Sequence, residues 1–338
     1  MRFLRLLIII IAIGALSVAC ESNPEKDKSI PSATDASVDP AEALSDQIIA
    51  NPNNVQLYID RAAIYSDRKL FDLATRDIQR ALSIDSLSSF VHVAMGDVYF
   101  KANALRDARL AFEKALSLNP SDTNAALKLA EVHFLLRRYE EALESVNTAL
   151  KVNDQLEKGY FLKGYIYKEI GDTSLSKSSF QTAVEVNPDY YEAFIELGSL
   201  YASEGNDIAL DFFNTAIELR GGIVEPYYNK GMYLQNTGRL DEAIETYQKM
   251  IEVDPKSFLS YYNLGYIHLV AYEDFKVAAA YFDTVLSIQP QYVDAIYNKG
   301  LCYEEIGDAN TSEALYRSAL DIDPQHTLSA QGLSRLLE

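Results

Sequence analysis

With 338 residues the chain is long enough for two or three ordinary globular domains. Its 30 Lys+Arg against 49 Asp+Glu give a formal net charge of −19, too acidic to grip nucleic acid phosphates or bare anionic lipid. Two cysteines, Cys20 and Cys302, exclude a disulfide framework or a zinc cluster.

The N-terminus, Met1–Cys20, sets two arginines before an apolar run from Leu6 to Leu16 and closes on small residues ahead of a cysteine. That layout predicts a secretion signal over 1–19. The apolar run is about half of the roughly 20 residues a membrane-spanning helix needs, so an uncleaved anchor fits less well. Ser17-Val18-Ala19-Cys20 resembles a bacterial lipobox, with Ser17 where that motif carries leucine and Leu16 one place early. The resemblance implies cleavage before Cys20 and acylation of its thiol, palmitate among the fatty chains, so that lipid anchors the mature chain. A soluble secreted protein is the alternative. Glu21 does not match the aspartate that holds such lipoproteins in the inner membrane of enteric bacteria, which favours the outer membrane of a bacterial cell envelope, leaflet open. Residues 20–40, polar and rich in Ser, Pro and Asp, predict a disordered tether.

Residues 41–54 hold a lone amphipathic stretch, Ala41–Ala50, that reads as a capping helix. From there to residue 326 the chain repeats. Small residues at Ala62, Gly96, Ala130, Gly164, Gly198, Gly231, Gly265 and Gly300 are spaced by 34, 34, 34, 34, 33, 34 and 35 residues. A second series keeps the same beat: Ala74, Ala108, Ala142, Ser176, Ala209, Ala243, Ala278 and Ser312. A larger residue follows each of these by four places: Ile78, Phe112, Val146, Phe180, Phe213, Tyr247, Phe282 and Tyr316. Each unit reads as two short helices whose small residues face one another where the backbones approach, while the larger residue fills the pair. Gly171, Gly205, Gly238 and Gly307 close first helices; Pro120, Pro188, Pro255, Pro290 and Pro324 follow second ones. Neither helix of a unit has enough apolar surface to stand alone, so the units must stack. Residues 327–338 predict a C-terminal capping helix over the last apolar face.

Period, small positions, aromatic position and proline together resemble the tetratricopeptide repeat (TPR), over roughly residues 55–326 as eight units. The resemblance implies an all-α, right-handed TPR superhelix, an α-solenoid of about eight helix-turn-helix repeats. The departures are local. No tryptophan occurs at the family's first large position, where Tyr58, His92, Ala126, Tyr160, Phe194, Tyr227, Tyr261 and Ile296 stand. Ser86, Asp154 and Gly221 replace the proline, one residue is missing after Gly205, and one is added near Ala271–Asp274.

The family's first helices line the concave surface. On that footing Tyr228-Asn229, Tyr262-Asn263 and Tyr297-Asn298 form a ladder of phenols and amides suited to the backbone of an extended peptide. The equivalent residues of earlier repeats, among them Ile59, Val93, Leu127, Phe161 and Ile195, are apolar: either a second, greasier surface or core, since a one-residue phase error turns a helix by about 100°. The family's clamp of Lys and Arg for a C-terminal carboxylate is not recognisable. His92, His133 and His268 fall at packing positions, and Cys302 reads as a small apolar filler. Glu140-Glu141 and Glu304-Glu305 read as solvated helix faces. No catalytic motif, metal-ligand spacing or cofactor loop appears, so no catalytic residue, no metal and no cofactor is expected.

These features point to a non-enzymatic, membrane-tethered adaptor or scaffold that binds protein or peptide partners on its concave face, with homo-oligomerisation through the end helices open. The competing expectation is an accessory subunit that regulates, or presents substrates to, an envelope protease or peptidoglycan hydrolase. An enzyme with a novel site would need a cluster of titratable groups that the sequence does not supply.

Overall fold

The computed structural model describes residues 39–337. The predicted signal segment 1–19, Cys20 and all but the end of the 20–40 tether lie outside the described residues. Among the described residues there are eighteen α-helices and no strand. A lone helix α1 (Pro40–Ala50) precedes eight antiparallel hairpins. These are α2/α3 (Val55–Asp67, Phe71–Ile84), α4/α5 (Ser89–Lys101, Leu105–Leu118), α6/α7 (Thr123–Leu135, Tyr139–Val152) and α8/α9 (Glu157–Ile170, Thr173–Val186). Then follow α10/α11 (Tyr191–Ser203, Ile208–Leu219), α12/α13 (Glu225–Asn236, Leu240–Val253), α14/α15 (Phe258–Val270, Phe275–Ile288) and α16/α17 (Val293–Ile306, Ala309–Ile322). A last helix, α18 (Thr327–Leu337), packs on α17. The chain is an α-solenoid.

The two helices of a unit differ because they meet different neighbours. A second helix such as α3, FDLATRDIQRALSI, buries one stripe, Ala74, Asp77, Ile78 and Ala81, and turns the rest to water. A first helix such as α4 buries residues around more of its girth, Val91, His92, Val93, Gly96 and Val98, because it touches its own second helix, the preceding second helix and the preceding first helix, α2. Successive first helices meet, α2 with α4, α6 with α8, α10 with α12 and α14 with α16, whereas successive second helices have at most marginal contact. The stack therefore curves with first helices inside, and they line its concave side.

Turns follow the chemistry of the residues available. Gly171, Gly205, Gly238 and Gly307 sit at φ +69° to +90°, the left-handed conformation that ends a first helix. The other closures with positive φ use Lys69, Asn103, Arg137 and Glu273, at φ 54° to 60°, so side chains occupy that region without a glycine. The missing residue after Gly205 shortens α11 to 12 residues, against 14 in the other second helices. The added residue lengthens the turn at Ala271–Asp274, where Tyr272 Oη donates to Asp241 at 2.6 Å.

The small residues of the second helices, Ala74 through Ser312, are fully buried. What limits size at the first-helix midpoint, however, is the larger residue four places further on. A β-carbon built on Gly96, Gly164, Gly198, Gly231, Gly265 or Gly300 would lie 2.3–3.0 Å from a ring atom of Phe112, Phe180, Phe213, Tyr247, Phe282 or Tyr316 respectively. The two midpoints that carry alanine, Ala62 and Ala130, belong to the two units whose larger residue is aliphatic, Ile78 and Val146. Ring and glycine, or branched aliphatic and alanine, are two ways of filling one space.

At the position where tryptophan is absent, a polar-tipped ring ties the first helix to the turn before it in four of the eight units. Tyr58 Oη donates to Pro52 O at 3.0 Å, His92 Nε2 lies 3.0 Å from Ser86 O, and Tyr227 and Tyr261 reach Gly221 O and Pro255 O at 3.3 and 3.2 Å. Each reaches back six residues.

Glu304 is not on a solvated face. Its carboxylate accepts from the Tyr316 hydroxyl and from Arg335 Nε and Nη2, both at 2.9 Å, pinning α18 to the last hairpin. Burial pushes the Glu304 carboxyl up, but the Arg335 and Tyr316 hydrogen bonds more than offset it and leave it below the usual glutamate value. His326 completes that joint, with Nδ1 2.7 Å from Ser329 Oγ and Nε2 3.3 Å from Asp294 Oδ1. Cys302 is free and fully buried, its thiol pushed up to about 12 by burial.

Candidate functional site

The concave side opens into two adjoining cavities over repeats five to seven. One, of 460 Å³, lies between α10 and α12, walled by Ser199, Ser203, Asn229, Met232 and Asn236. The other, of 430 Å³, lies between α12 and α14, with Gln235, Tyr266 and Val270 in its wall and Asn236 shared with the first. Neither wall contains Lys, Arg, Asp or Glu. Asn229, Met232 and Asn236 stand at i, i+3 and i+7, one stripe of α12 that walls the first hollow, and Gln235 beside Asn236 carries the helix into the second.

Further toward the N-terminus the groove carries charge, and three of its lysines are paired within the groove. Lys101 pairs with Asp67 at 2.5 Å, Lys128 with Asp97 at 2.6 Å and Lys168 with Glu196 at 2.6 Å, each joining adjacent repeats. The Tyr165 hydroxyl also donates to Glu196. Lysines and an arginine one place before the midpoint turn away: Arg61, Lys163, Lys230 and Lys299 meet Asp77, Asn147, Asn214 and Asp283 on second helices.

The six ladder residues are not equivalent in space. Asn229 lines a cavity wall and is half-buried. Asn298 is buried and donates its amide to Tyr262 Oη at 3.0 Å, a contact between repeats. Asn263 is 7% exposed, and its Nδ2 has no hydrogen-bond partner. Tyr262 packs edge-on against Phe282 and Tyr292, and Tyr297 stacks on Tyr316 with centroids 5.7 Å apart. Tyr228 joins the cluster around Tyr247. Burial raises the phenol pKa of Tyr228, Tyr262 and Tyr297 alike. The ladder therefore reaches the groove at Asn229 and becomes inter-repeat packing beyond it. Of the apolar set of earlier repeats, Ile59, Val93 and Ile195 are core, at 8%, 5% and 6% exposed, while Leu127 and Phe161 are half-buried. Met232, Asn236, Tyr266 and Val270, absent from the predicted site, sit one and five places after the midpoint glycine, so the same ruler locates them.

Among the described residues no group of three or more His, Cys, Asp or Glu is placed to hold a metal ion, and no helix is long and apolar enough to cross a membrane.

Paired-helix units stacked with first helices inward define an α-solenoid repeat protein. Residues 93–156 and 269–327 match one tetratricopeptide repeat model, 157–190 another, and 232–269 a TPR repeat model; together these cover more than half of the chain. The chain belongs to the tetratricopeptide-repeat proteins, a class of protein-interaction scaffolds. It is similar to anaphase-promoting complex subunit 3 of Schizosaccharomyces pombe, 24% identical over 63% of this chain and 32% of that protein. It is also similar to a TPR repeat-containing protein of Methanocaldococcus jannaschii, 23% identical over 85% of this chain and 47% of that one. The chain thus spans about a third to a half of the length of these two relatives. Among solved structures, the C-terminal part of a TPR repeat-containing protein from Cytophaga hutchinsonii superposes with a TM-score of 0.62 at 20% identity, covering 70% of this chain and 98% of that one. That similarity shows the fold.

Proposed function

We propose that the chain is a non-enzymatic adaptor that holds protein or peptide partners on its concave face and is tethered by lipid on Cys20 to a bacterial envelope membrane, the outer one. The observation that carries the binding reading is the pair of adjoining cavities over repeats five to seven, whose walls mix amides and hydroxyls with Met232, Tyr266 and Val270 and contain no charge. Such a trough suits an extended segment, with its backbone on Asn229 and Asn236 and apolar side chains in the two hollows. Lys101, Lys128 and Lys168 are paired with carboxylates of adjacent repeats and so are not free to clamp a ligand carboxylate. The tether rests on the sequence Ser17–Cys20 and on the polar 20–40 segment.

A photo-crosslinking residue at Met232 or Asn236, introduced in cells, is expected to capture discrete partners, whereas one at Leu110, exposed on second helix α5, is expected to capture none of them. The same adducts from both faces would overturn the reading. Metabolic labelling with a fatty-acid analogue is expected to mark the wild type and not Cys20→Ala; label that survives the substitution removes the tether.

A further inference from the structure

Among the described residues, α1 and α18 are the two helices outside a hairpin. α1 runs into α2 as a second helix runs into the next unit. Asn51-Pro52 follows it as Asn119-Pro120 follows α5, and the Asn51 N–H returns to Gln47 O as that of Asn119 returns to Ala115 O. Its Pro40 and Leu44 stand 34 places before Ala74 and Ile78. Those two are buried in the first hairpin, whereas Pro40 is exposed and Leu44 half-buried. The first helix that would cover them falls, by the same spacing, on residues 21–33. That sequence has Pro24, Pro31 and a single large apolar residue, Ile30, too little for the stripe a first helix buries.

α18 is the complementary half. It packs on α17 and α16 as a first helix packs on the preceding unit, and buries Ser329 and Gly332 there. Ser334 stands 34 places after Gly300 and keeps the midpoint small, while Ala330 and Leu337 stand 34 places after Ile296 and Tyr303. In α16 the midpoint is closed by the Tyr316 ring of its own second helix. In α18 the corresponding face is open: Ala330, Ser334 and Leu337 are all exposed, Leu337 by 66%. A helix that only capped the stack would turn a polar face outward, and Leu337 does not supply one.

The two open faces obey the rule that governs the eight hairpins. A midpoint larger than glycine goes with an aliphatic filler, as Ala62 with Ile78 and Ala130 with Val146, and Ser334 with Leu44 follows suit. Neither stripe carries a charge, so the acidity of the chain sets no like charges against each other at the contact. We propose that α18 of one copy packs on α1 of a second copy, Ser334 against Leu44, and completes a hairpin that has no turn. The contact is heterologous and carries the superhelix on from copy to copy, first helices still inside. It does not depend on the trough of repeats five to seven.

The test places a photo-crosslinking residue at Leu337 of the full chain in cells and maps the adducts by mass spectrometry. Adducts of twice the chain mass that join residue 337 to α1 of the other copy are expected. Leu44→Phe is expected to lower their yield roughly tenfold, because a ring overfills the space beside a midpoint larger than glycine. Adding Ser334→Gly to Leu44→Phe is expected to restore the yield, since ring and glycine are the other permitted pair. A chain in which Leu44→Phe had merely displaced α1 would not be restored by a change in α18. The proposal is overturned by the absence of doubled-mass adducts, or by adducts that join residue 337 to α18 of the other copy or to an unrelated protein. A yield indifferent to Leu44→Phe, or a loss that Ser334→Gly does not restore, overturns it equally.

Discussion

Gly96 and Phe112 exclude any larger residue from each other's place: a β-carbon on Gly96 would lie 2.3 Å from the Phe112 ring, closer than real side chains approach. Six of the eight hairpins repeat this relationship, and the other two replace it by alanine against isoleucine or valine. Gly96→Ala is therefore expected to destabilise the second hairpin by about 1–3 kcal/mol, the usual cost of overpacking a filled core. Adding Phe112→Ile should recover most of that loss, because the double variant reproduces the Ala62 and Ile78 pair of repeat one. Thermal unfolding followed by circular dichroism of both singles and the double measures the coupling; strictly additive effects would contradict the shared-space account.

Lys69, Arg137 and Glu273 hold left-handed backbone that costs an ordinary residue about 1 kcal/mol or more relative to glycine. Replacing each by glycine should stabilise its hairpin by up to about 1 kcal/mol, and Gly238→Ala, at φ +78°, should do the reverse. Denaturant midpoints of the four variants check the sign. Asn103 is left out because asparagine tolerates this region better than most residues.

Asn229 and Asn298 separate binding from stability. Asn298→Ala removes the donor to Tyr262 Oη and should cost roughly 1 kcal/mol with partner capture at Met232 unchanged. Asn229→Ala, in the cavity wall, should weaken capture and leave the unfolding midpoint within about 0.5 kcal/mol of wild type, as expected of a change at a half-exposed position. Melting curves beside crosslinking yields decide between the two roles.

The carboxylate of Glu304 gives the C-terminal joint a pH dependence. Its pKa in the fold lies below the ordinary glutamate value of 4.5, so the ionised form is favoured by folding. The stabilisation is complete above about pH 5 and is lost as pH falls through the depressed value. Glu304→Gln should therefore melt below wild type at pH 7, and the gap should narrow as the pH is lowered below 4.5. A gap that persists undiminished at pH 3 would show that charge on Glu304 does not hold α18.

Much of the fold is legible in the sequence because a helix hairpin is local. The run from Ala62 to Gly300 marks eight first helices, and the residues four after Ala74 and its equivalents mark the cores, without any knowledge of how distant parts meet. The groove is less legible. Whether Asn263 or Asn298 faces water depends on Tyr262, Tyr292 and Phe282 of adjoining helices, and no spacing within one unit states that. Glu304 looks solvated beside Glu305 until Arg335, 31 residues later, folds back on it. The left-handed turns at Lys69 and Arg137 are invisible for the opposite reason, since those residue types carry no turn preference and adopt the conformation because the packed hairpin leaves no other closure.

The ties from Tyr58, His92, Tyr227 and Tyr261 cross the seam between one unit and the next, and every acceptor is a main-chain carbonyl. A carbonyl is present whatever the residue, and the four that serve belong to two prolines, a serine and a glycine. The interior of a hairpin must mutate in matched pairs, but at these four ties the joint asks nothing of the neighbour's side chains. An array built this way can lengthen by duplication of whole hairpins, each copy fitting its new neighbour on arrival and diverging afterwards on the groove side.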